Sequence, residues 1–564
     1  MGLTRRALLG ASGAVGATVA AAACVRPMPT YDGAVRFLHG VASGDPLPER
    51  VVIWTRVTPD RDGPVPVAWV IAEDPELKNA VARGQVETGP ERDYTVKVDA
   101  SGLAPGRRYH YGFRVNETTS TIGRTWTASA DAQESMEIAV VSCSNWPSGL
   151  FNAYQALARR EDLDLVVHLG DYIYEYGPDG YGGEVGARIG RISDPPKEIV
   201  TLADYRRRHA QYKSDSDLQA AHARCPWIVT WDDHETANDS FLGGAQNHQP
   251  DQEGAWEARE QAGIQAYLEW MPIRDPAEGA PRSAIWRRFD FGDLASLVML
   301  ETRLTGRSQQ LSYINDMSMT VSPTGQPQPD IAGFLAKLND PERRMMPAAE
   351  ESFVADSLKA STARGATWQI LGNQVIMAEV RAPNLAALLP DAVKADIARR
   401  YPSAGAQIEF TRLGLPLNLD AWDGYPAARA RLLKAAADAV ASLIVVTGDS
   451  HTAWANELFL DPARTMRVGV EFGAASVTSP GIADELPVPG LDYAAAFVGA
   501  NPQTVKWHDP RNRGFLVLKL TKAETVAEFY SVSTVLAPDF ETKLEARFKV
   551  RPGGIGGMGP IELA

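Results

Sequence analysis

The pattern of hydrophobic and polar positions changes near residue 134. Before it, between Val35 and Asp131, short segments rich in β-branched and aromatic residues are separated by turn residues, without a helical period. These segments cover residues 51–57, 65–72, 95–100 and 108–115. Such segments are typical of antiparallel strands. We therefore expect a small all-β sandwich over residues 35–131, with a structural role.

After Glu134, near-continuous apolar runs alternate with helical segments. The runs predicted as strands cover residues 137–144, 164–171, 226–235, 294–301, 367–375, 442–451, 467–476, 514–520 and 525–532. Apolar runs of this kind suit strands that helices bury on both faces. Residues 134–536 are therefore predicted to form an α/β domain.

The first 24 residues are predicted to be a targeting segment. Residues 4–9, TRRALL, resemble a twin-arginine signal, and Ala, Gly and Val follow as far as Cys24. The apolar run is too short and Gly-rich for a transmembrane segment. We expect export by the twin-arginine machinery to the periplasm or the medium. Simple cleavage is favoured over a lipid anchor at Cys24, which stays open.

Length and composition indicate a large enzyme with two or more domains. The chain has 564 residues, of which 45% are hydrophobic, and a formal net charge of -14. This charge provides no basic footprint for nucleic acid, whose phosphates require Lys and Arg. It does not define the substrate, because bound cations can dominate the local field. The oligomeric state stays open.

Three short polar runs each follow a predicted strand directly. They are GDYIYEY (170–176), TWDDHE (230–235) and GDSH (448–451). Because ligands gather at the carboxyl ends of strands in α/β folds, these runs predict a metal site. Two or more cations can clamp phosphoryl oxygens and generate a nucleophile near neutral pH.

The residue types in these runs suit hard cations. Asp171, Asp233 and Asp449 offer oxygen ligands, and His451 offers a nitrogen. Tyr174 adds a phenol, whose deprotonated form a strongly Lewis-acidic ion such as ferric iron stabilises. The tyrosine therefore hints at iron.

The two cysteines of the expected mature chain are predicted not to pair. Cys143 follows one predicted strand and Cys225 precedes another. In parallel neighbours they would lie at opposite sheet edges, roughly 15–20 Å apart at the rise of a strand, beyond the reach of a disulfide. Cys143 lies at the same edge as Asp171, where a thiolate ligand fits.

Cys143, GDYIYEY, residues 227–235 with Asn238, and GDSH occur in an order that resembles the PhoD-like alkaline phosphatases, a branch of the calcineurin-like metallophosphoesterases. Residues 37–57 resemble the N-terminal Ig-like domain of that family, and residues 422–429 extend the likeness. The resemblance implies a layered metallophosphoesterase β-sandwich flanked by helices and preceded by a small all-β Ig-like domain.

The same resemblance implies an alkaline phosphatase or phosphodiesterase that uses Fe³⁺ and Ca²⁺ for attack by a metal-bound hydroxide. The residues that match the metal pattern are Cys143, Asp171, Tyr174, Asp449 and His451. Asp171 is the bridging candidate, because one carboxylate can serve two cations. Asp233 is a further candidate ligand, and His234 is the expected general acid. Zn²⁺ or Mn²⁺ would fit related geometry.

Other positions keep two interpretations. Asp232 is a candidate ligand, but an acceptor for a ligating histidine or a cap is an equal reading. Asn238 would donate to phosphate or ligate, and Arg303 is a candidate substrate contact. Glu301 departs from the shorter acid usual in the family, which would displace a contact made there. By contrast, His168, His222 and His248 are expected to be ordinary hydrogen-bonded side chains. Residues 206–208 (Arg-Arg-Arg) are expected to form a solvated helix face.

Several alternatives remain open at this point. Residues 322–340 and 382–416 look like insertions that shape specificity or merely elaborate the surface. For the tail, residues 537–564, we hypothesise a mobile lid. The competing functions are a phosphodiesterase or phospholipase D-like enzyme acting on lipid or wall-polymer diesters, a non-catalytic metal- or phosphate-binding protein, and an iron oxidase.

Overall fold

The computed structural model describes residues 31–400, 405, 408–488, 490–553 and 557–564. The expected targeting segment, with its twin-arginine motif and Cys24, lies outside the described residues. Within them, no helix has the length and apolar character needed to cross a membrane.

Two large β-sheets form the centre of the fold. In spatial order, the ten-stranded sheet contains Glu562–Leu563, Thr542–Val550, Thr525–Val532, Arg513–Thr521, Ser135–Val141, Leu165–His168, Trp227–Val229, Val41–Leu47, Arg50–Arg56 and Thr95–Ser101. The seven-stranded sheet contains Arg287–Phe291, Ala295–Met299, Trp368–Gly372, Leu443–Thr447, Arg467–Gly473, Ala453–Phe459 and Val505–Asp509.

Three smaller sheets and the helices complete the architecture. A five-stranded sheet contains Gly123–Trp126, Arg108–Val115, Val65–Ala72, Ala80–Thr88 and Thr118–Thr119, and two strand pairs join Val35–Arg36 with Thr58–Pro59 and Met319–Val321 with Pro327–Pro329. The α-helices are Asn152–Ala158, Gly183–Ile189, Leu202–Lys213, Ser216–Arg224, Pro250–Glu253, Trp256–Trp270, Tyr313–Asp316, Ile331–Leu338, Ala348–Ala363, Leu385–Leu388, Asp391–Arg400, Pro426–Asp438, Ile482–Glu485 and Tyr493–Ala500. Short 3₁₀ turns are Pro90–Arg92, Trp146–Ser148, Thr411–Leu413 and Trp422–Gly424.

The central strands of both large sheets run parallel and are buried on both faces. Every residue of Leu443–Thr447 is buried, as its unbroken apolar run predicts. Ile444 belongs to the core between the sheets together with Val140 of the other sheet, whereas Val445 faces the helices outside. The fold is therefore a helix-sheet-sheet-helix stack, which confirms the predicted layered α/β class.

The N-terminal region forms the expected sandwich but shares one sheet with the rest of the chain. Val51 and Ile53 pack against Val67 and Tyr111 of the five-stranded sheet. However, Gly44 pairs in parallel with Trp227, so the strands of the first sandwich layer continue the ten-stranded sheet. The N-terminal region is thereby fixed to the sheet edge that follows Trp227–Val229.

Residues 542–550 of the C-terminal tail form a strand of the ten-stranded sheet and not a mobile lid, so the lid hypothesis is wrong for these residues. Thr542–Val550 pairs antiparallel with Thr525–Val532 along its whole length. Phe548 and Val550 lie in the core between the sheets. An alternating strand with a buried face competes better for this segment than a mobile conformation does, because it buries apolar surface and satisfies the backbone.

We expect Phe548→Ala to lower the free energy of unfolding by about 3–4 kcal/mol, the usual cost of truncating a buried aromatic ring. Phe548 is 4% exposed and contacts the rings of Trp507 and Phe529. Leu544→Ala on the same strand, where Leu544 is 38% exposed, should change stability far less. Urea denaturation of both variants tests this, and equal stability losses would contradict the core assignment.

Candidate active site

Loops at the carboxyl ends of parallel strands bring the predicted ligands together. Cys143, Asp171 and Asp233 follow neighbouring strands of the ten-stranded sheet, and Asp449 follows a strand of the seven-stranded sheet. Cys143, Asp171, Asp449 and His451 have left-handed backbone conformations, with φ of 61°, 54°, 59° and 58°. Such conformations cost energy for residues with a side chain and cluster at functional sites. The loops are therefore shaped to aim these side chains.

Gly170 explains why the motif begins with glycine. Its φ is +105°, and an added Cβ would lie 2.4 Å from the Cβ and the backbone nitrogen of Asp232. No other residue fits this close approach between two loops. The glycine thus allows Asp171 and Asp233 to lie next to each other.

Four of the predicted ligands form one compact group. The donor atoms of Cys143, Asp171 and His451 lie within 4.8 Å of one another. The hydroxyl of Tyr174 is 3.1 Å from Asp171 Oδ2 and 3.2 Å from His451 Nε2. His451 Nδ1 is 3.2 Å from the carbonyl oxygen of Pro480, to which only a protonated nitrogen can donate. The free electron pair of His451 is therefore on Nε2, which faces this group.

Asp171 also belongs to a second group, with Asp233 and His234, whose donor atoms again lie within 4.8 Å of one another. Within the described residues, the buried Oδ1 atoms of Asp171 and Asp233 have no hydrogen-bond partner. Buried carboxylate oxygens are rarely left unpaired. The residues therefore fit two cations that share Asp171, and Asp449 lines the same cleft.

The pKa shifts of the predicted ligands also favour a site that holds cations. Burial raises the pKa of Asp171 well above its usual range, and the neighbouring carboxylates of Asp233 and Asp232 raise it further. Burial and Asp232 likewise raise the pKa of Asp449. Burial raises the pKa of the Cys143 thiol, with Asp171 adding to the effect. Anionic donors crowded in this way need positive charge to stay ionised.

His234 is held by a buried carboxylate that our sequence interpretation missed. Its Nδ1 is 2.7 Å from Glu175 Oε2, while its Nε2 is 4.0 Å from Asp233 Oδ1. Glu175 itself accepts hydrogen bonds from the backbone N–H of Asn238 and the side-chain amide of Asn247. Burial lowers the pKa of His234, but Asp233 and Glu175 outweigh it and raise that pKa well above its usual value.

Asp232 and Arg303 lie behind the two ligand groups rather than in them. Arg303 is fully buried and pairs through Nε with Asp232 and through Nη1 with Asp420, at 2.9 Å. Its Nη2 has no hydrogen-bond partner among the described residues and lies 3.6 Å from Asp449 and 3.8 Å from Asp233. Arg303 does not line the cleft, so its position suits neutralising the carboxylates better than contacting substrate.

Glu301 has a structural task that explains how the longer acid is tolerated. Its Oε1 accepts hydrogen bonds from the indole N–H of Trp231 and the backbone N–H of Arg303 and Leu304, at 2.8, 3.0 and 2.9 Å. Its Oε2 accepts from the backbone N–H of Thr305 at 2.8 Å. Glu301 therefore caps the loop that delivers Arg303, and it reaches neither ligand group.

The predictions that His168, His222 and His248 are ordinary hydrogen-bonded side chains and that the two cysteines do not pair are confirmed. His168 Nε2 is 3.0 Å from the hydroxyl of Tyr154, and His222 Nε2 is 2.9 Å from that of Tyr172. His248 Nε2 is 3.0 Å from the carbonyl oxygen of Gly254, to which it donates. Cys143 and Cys225 are both free and buried.

The expectation of a solvated face at residues 206–208 is wrong for Arg208. This side chain is buried and donates to the carbonyl oxygens of Tyr174 and Tyr176, in the GDYIYEY loop. It also bonds to the carbonyl oxygens of Pro195 and Lys197. The carbonyl groups that Arg208 contacts lie outside its own helix, so the spacing of residues along that helix could not predict these contacts.

Glu235 is a positioning residue for both carboxylate loops. Its carboxylate accepts the backbone N–H groups of Asp171, Tyr172 and Asp232, at 3.1, 2.6 and 2.9 Å. Glu175 and Glu235 both lie inside the motifs that we used, so their acidic character was the available signal. Asp420, which pairs with Arg303 and Arg307, carries no such signal.

The site opens into a cleft of about 1000 Å³. Asp171, Asp233, His234, Asn238 and His451 lie on its wall. The side-chain amide of Asn238 donates to Gln246 at 3.1 Å, so it is held at the cleft without contacting either ligand group. Residues 308–316 and 417–420 form much of the remaining wall.

Comparisons with known proteins agree with this geometry. The PhoD-like phosphatase family matches residues 138–529, and the N-terminal domain of PhoD-like phosphatases matches residues 21–129. Alkaline phosphatase D of Bacillus subtilis (strain 168) is 33% identical over 532 residues, which cover 91% of this chain and 80% of that protein. A solved structure of PhoD has a TM-score of 0.75 at 30% identity and covers 95% of this chain and 94% of its own.

The two-sheet α/β fold, with a carboxylate-rich site at its strand ends, is that of a phosphatase. The chain belongs to the PhoD-like phosphatase family. This assignment favours hydrolysis over the non-catalytic and iron-oxidase alternatives that the sequence left open.

We expect Glu301→Gln to destabilise the protein by roughly 2–3 kcal/mol, because an amide NH₂ would face N–H donors and leave a buried group unpaired. Both Glu301 oxygens accept hydrogen bonds now, so no orientation of the amide satisfies the loop. Thermal unfolding measures the loss. Glu257→Gln, at an exposed helix position, is the matched control and should unfold as the wild type does.

Proposed function

We propose that this phosphatase is an exported, metal-dependent alkaline phosphatase that hydrolyses phosphate esters. The observation that carries the proposal is the membership of Asp171 in both ligand groups, with a buried oxygen free for a second cation. Export to the periplasm or the medium rests on the twin-arginine-like residues 4–9. The division into an Ig-like domain of residues 35–131 and a catalytic domain of residues 134–536 is part of the same proposal.

Donor chemistry supports Fe³⁺ and Ca²⁺ as the ions. Cys143, Tyr174 and His451 would hold the ferric ion, because thiolate and phenolate suit a strongly Lewis-acidic metal. Asp233 and Asp449 offer oxygen to calcium, and Asp171 would serve both ions. His234 belongs to the second group by distance, but it would keep its proton and ligate neither ion. Zn²⁺ and Mn²⁺ remain alternatives to be tested. When bound, such cations stabilise charge on the phosphoryl oxygens and make water a better nucleophile.

His234 is the proposed general acid for the leaving oxygen. Glu175 fixes its Nδ1, so the proton available for transfer is on Nε2. His234 lines the cleft and stacks on Tyr174, with ring centroids 4.2 Å apart, which restricts its rotation. These contacts hold Nε2 where an ester oxygen bound beside Asp171 and Asp233 would accept its proton.

A phosphodiesterase is the second candidate function. The cleft volume of about 1000 Å³ is at the upper end of small-molecule pockets and leaves room for a second ester substituent. The phospholipase D-like and wall-polymer readings fall within this candidate.

Initial rates on p-nitrophenyl phosphate and bis(p-nitrophenyl) phosphate test the proposal. The protein is loaded with iron and calcium and assayed side by side with chelator-treated protein. A monoester preference supports the phosphatase, and a diester preference moves the function to the second candidate. Absence of turnover on both substrates would overturn the hydrolytic proposal.

We expect Asp171→Asn to abolish activity and to lower the content of both metals, because an amide is a weaker ligand and cannot neutralise two cations. Elemental analysis alongside the assay separates metal loss from a purely catalytic defect. Asp179→Asn, at an exposed position of the same loop, should retain metal and rate. Full activity of Asp171→Asn would contradict the shared-ligand assignment.

We expect Glu175→Gln to slow hydrolysis of alkyl phosphates by about 10- to 100-fold, the usual effect of removing the partner that orients a histidine. Esters with a good leaving group, such as p-nitrophenyl phosphate, need little proton donation and should slow much less. The rate ratio between the two esters is the measurement. Exposed Glu184→Gln should leave this ratio unchanged, and an equal slowing of both esters by Glu175→Gln would contradict a role through His234.

A further inference from the structure

A second cavity adjoins the cleft at His451. Its volume is about 230 Å³, and Leu417, Asn418 and His451 line both it and the main cleft. We call it the annex. Because the two cavities meet at these residues and His451 belongs to the first ligand group, the annex lies next to the place where a phosphoryl group would bind.

The annex is apolar, unlike the main cleft. Its apolar lining residues are Ile376, Val380, Leu417, Ala421, Trp454, Pro480, Ile482 and Phe497. Trp454 stacks on His508 at 3.6 Å between ring centroids and meets Phe497 edge-on at 5.5 Å. Its indole N–H donates to Ser450 at 3.0 Å. These ring contacts fix the position of Trp454, and the hydrogen bond to Ser450 satisfies its indole N–H, as in a preformed binding pocket.

The charges around the annex exclude an anionic occupant. Neither lysine nor arginine is among its lining residues in the described part of the chain. Asp423 is paired with Arg429 and accepts the backbone N–H of Val380, and Glu485 accepts a hydrogen bond from the hydroxyl of Tyr181 at 3.0 Å. With no free cation, a second phosphate or a carboxylate would be left unpaired there. The occupant must therefore carry no negative charge.

The size of the annex suits a single ring. A dry cavity of about 150 Å³ lined by apolar side chains holds benzene. The annex, at about 230 Å³, holds a somewhat larger group, such as a cyclohexyl or substituted phenyl ring.

We propose that the annex binds the apolar organic group of the phosphate ester and makes this enzyme prefer esters that carry a ring or a branched alkyl group. The inference rests on the proposed hydrolysis at Asp171 and His234. It assigns the substrate class through the residues beside His451 rather than through the metal ligands.

The test compares two esters whose leaving alcohols have similar acidity, 3-cyclohexylpropyl phosphate and 5-hydroxypentyl phosphate, and also their methyl diesters. We expect kcat/KM to be about tenfold higher for the cyclohexyl compound, the size of preference that an apolar pocket supplies. Inhibition by the two corresponding alkylphosphonates, measured also as direct binding by calorimetry, reports the same preference without turnover.

Two variants locate the preference. Ile482 is half-buried and lines the annex. Ile482→Trp would fill the annex with a larger side chain, and Ile482→Asn would make its lining more polar. Both should reduce the cyclohexyl preference to about twofold or less, while rates on the hydroxypentyl ester stay close to wild type. Ile122→Trp, at an exposed loop position just before the strand Gly123–Trp126, is the matched control and should keep the preference. Circular dichroism establishes that each variant is folded.

Equal kcat/KM and equal phosphonate binding for the two compounds in the wild type would overturn the inference, as would an unchanged preference in both Ile482 variants. If the proposed hydrolysis itself is wrong, neither the monoesters nor the methyl diesters will be hydrolysed, which distinguishes this outcome from failure of the annex inference. Phosphonate binding would still test the annex in that case.

Discussion

Negative charge gathered in a buried place is the constraint on which the rest of the structure depends. Asp171, Asp232, Asp233 and Asp449 lie at one edge of the two sheets, and burial alone raises the pKa of a carboxyl group there. One guanidinium, that of Arg303, faces three of them. His234, whose pKa is raised, adds a second positive charge beside Asp171 and Asp233, but two positive charges cannot neutralise four carboxylates. Arg303 and His234 keep the pKa of Asp233 low, whereas the pKa values of Asp171 and Asp449 stay raised. The proposed cations would supply the positive charge that these two carboxylates lack.

Holding such charges together requires a backbone that cannot relax. The parallel strands supply it, since each ligand lies within a few residues of a strand buried on both faces. The loops are then tied by side chains that contact no ligand atom: Glu235 binds three backbone N–H groups, and Arg208 binds the carbonyl oxygens of the GDYIYEY loop. The strained conformation at Asp171 persists because these contacts over-determine it.

Sequence patterns predicted what depends on local chemistry. The unbroken apolar run at 443–447 predicted a buried strand, and the polar residues after it predicted side chains that meet at one site, because strand ends are where such residues gather. What failed depends on contacts between distant segments. Arg303 is 71 positions from Asp232, and neither spacing nor propensity encodes their pairing. The tail strand was misread because a pairing partner decides whether a short amphipathic segment becomes a strand.

The polar cleft and the apolar annex would recognise different parts of a phosphate ester, because the ligand groups contact only its phosphoryl group. Cations recognise a phosphoryl group by its charge, and monoesters that differ only in their organic group carry the same charge, so cations cannot distinguish these esters. Discrimination must come from surfaces that meet the organic group. His451 stands at the junction, since it lines both cavities while its Nε2 faces Asp171 and Tyr174. An apolar group in the annex would be held at a set distance from a phosphorus bound at the ligand groups, so binding there would contribute to orientation as well as to affinity.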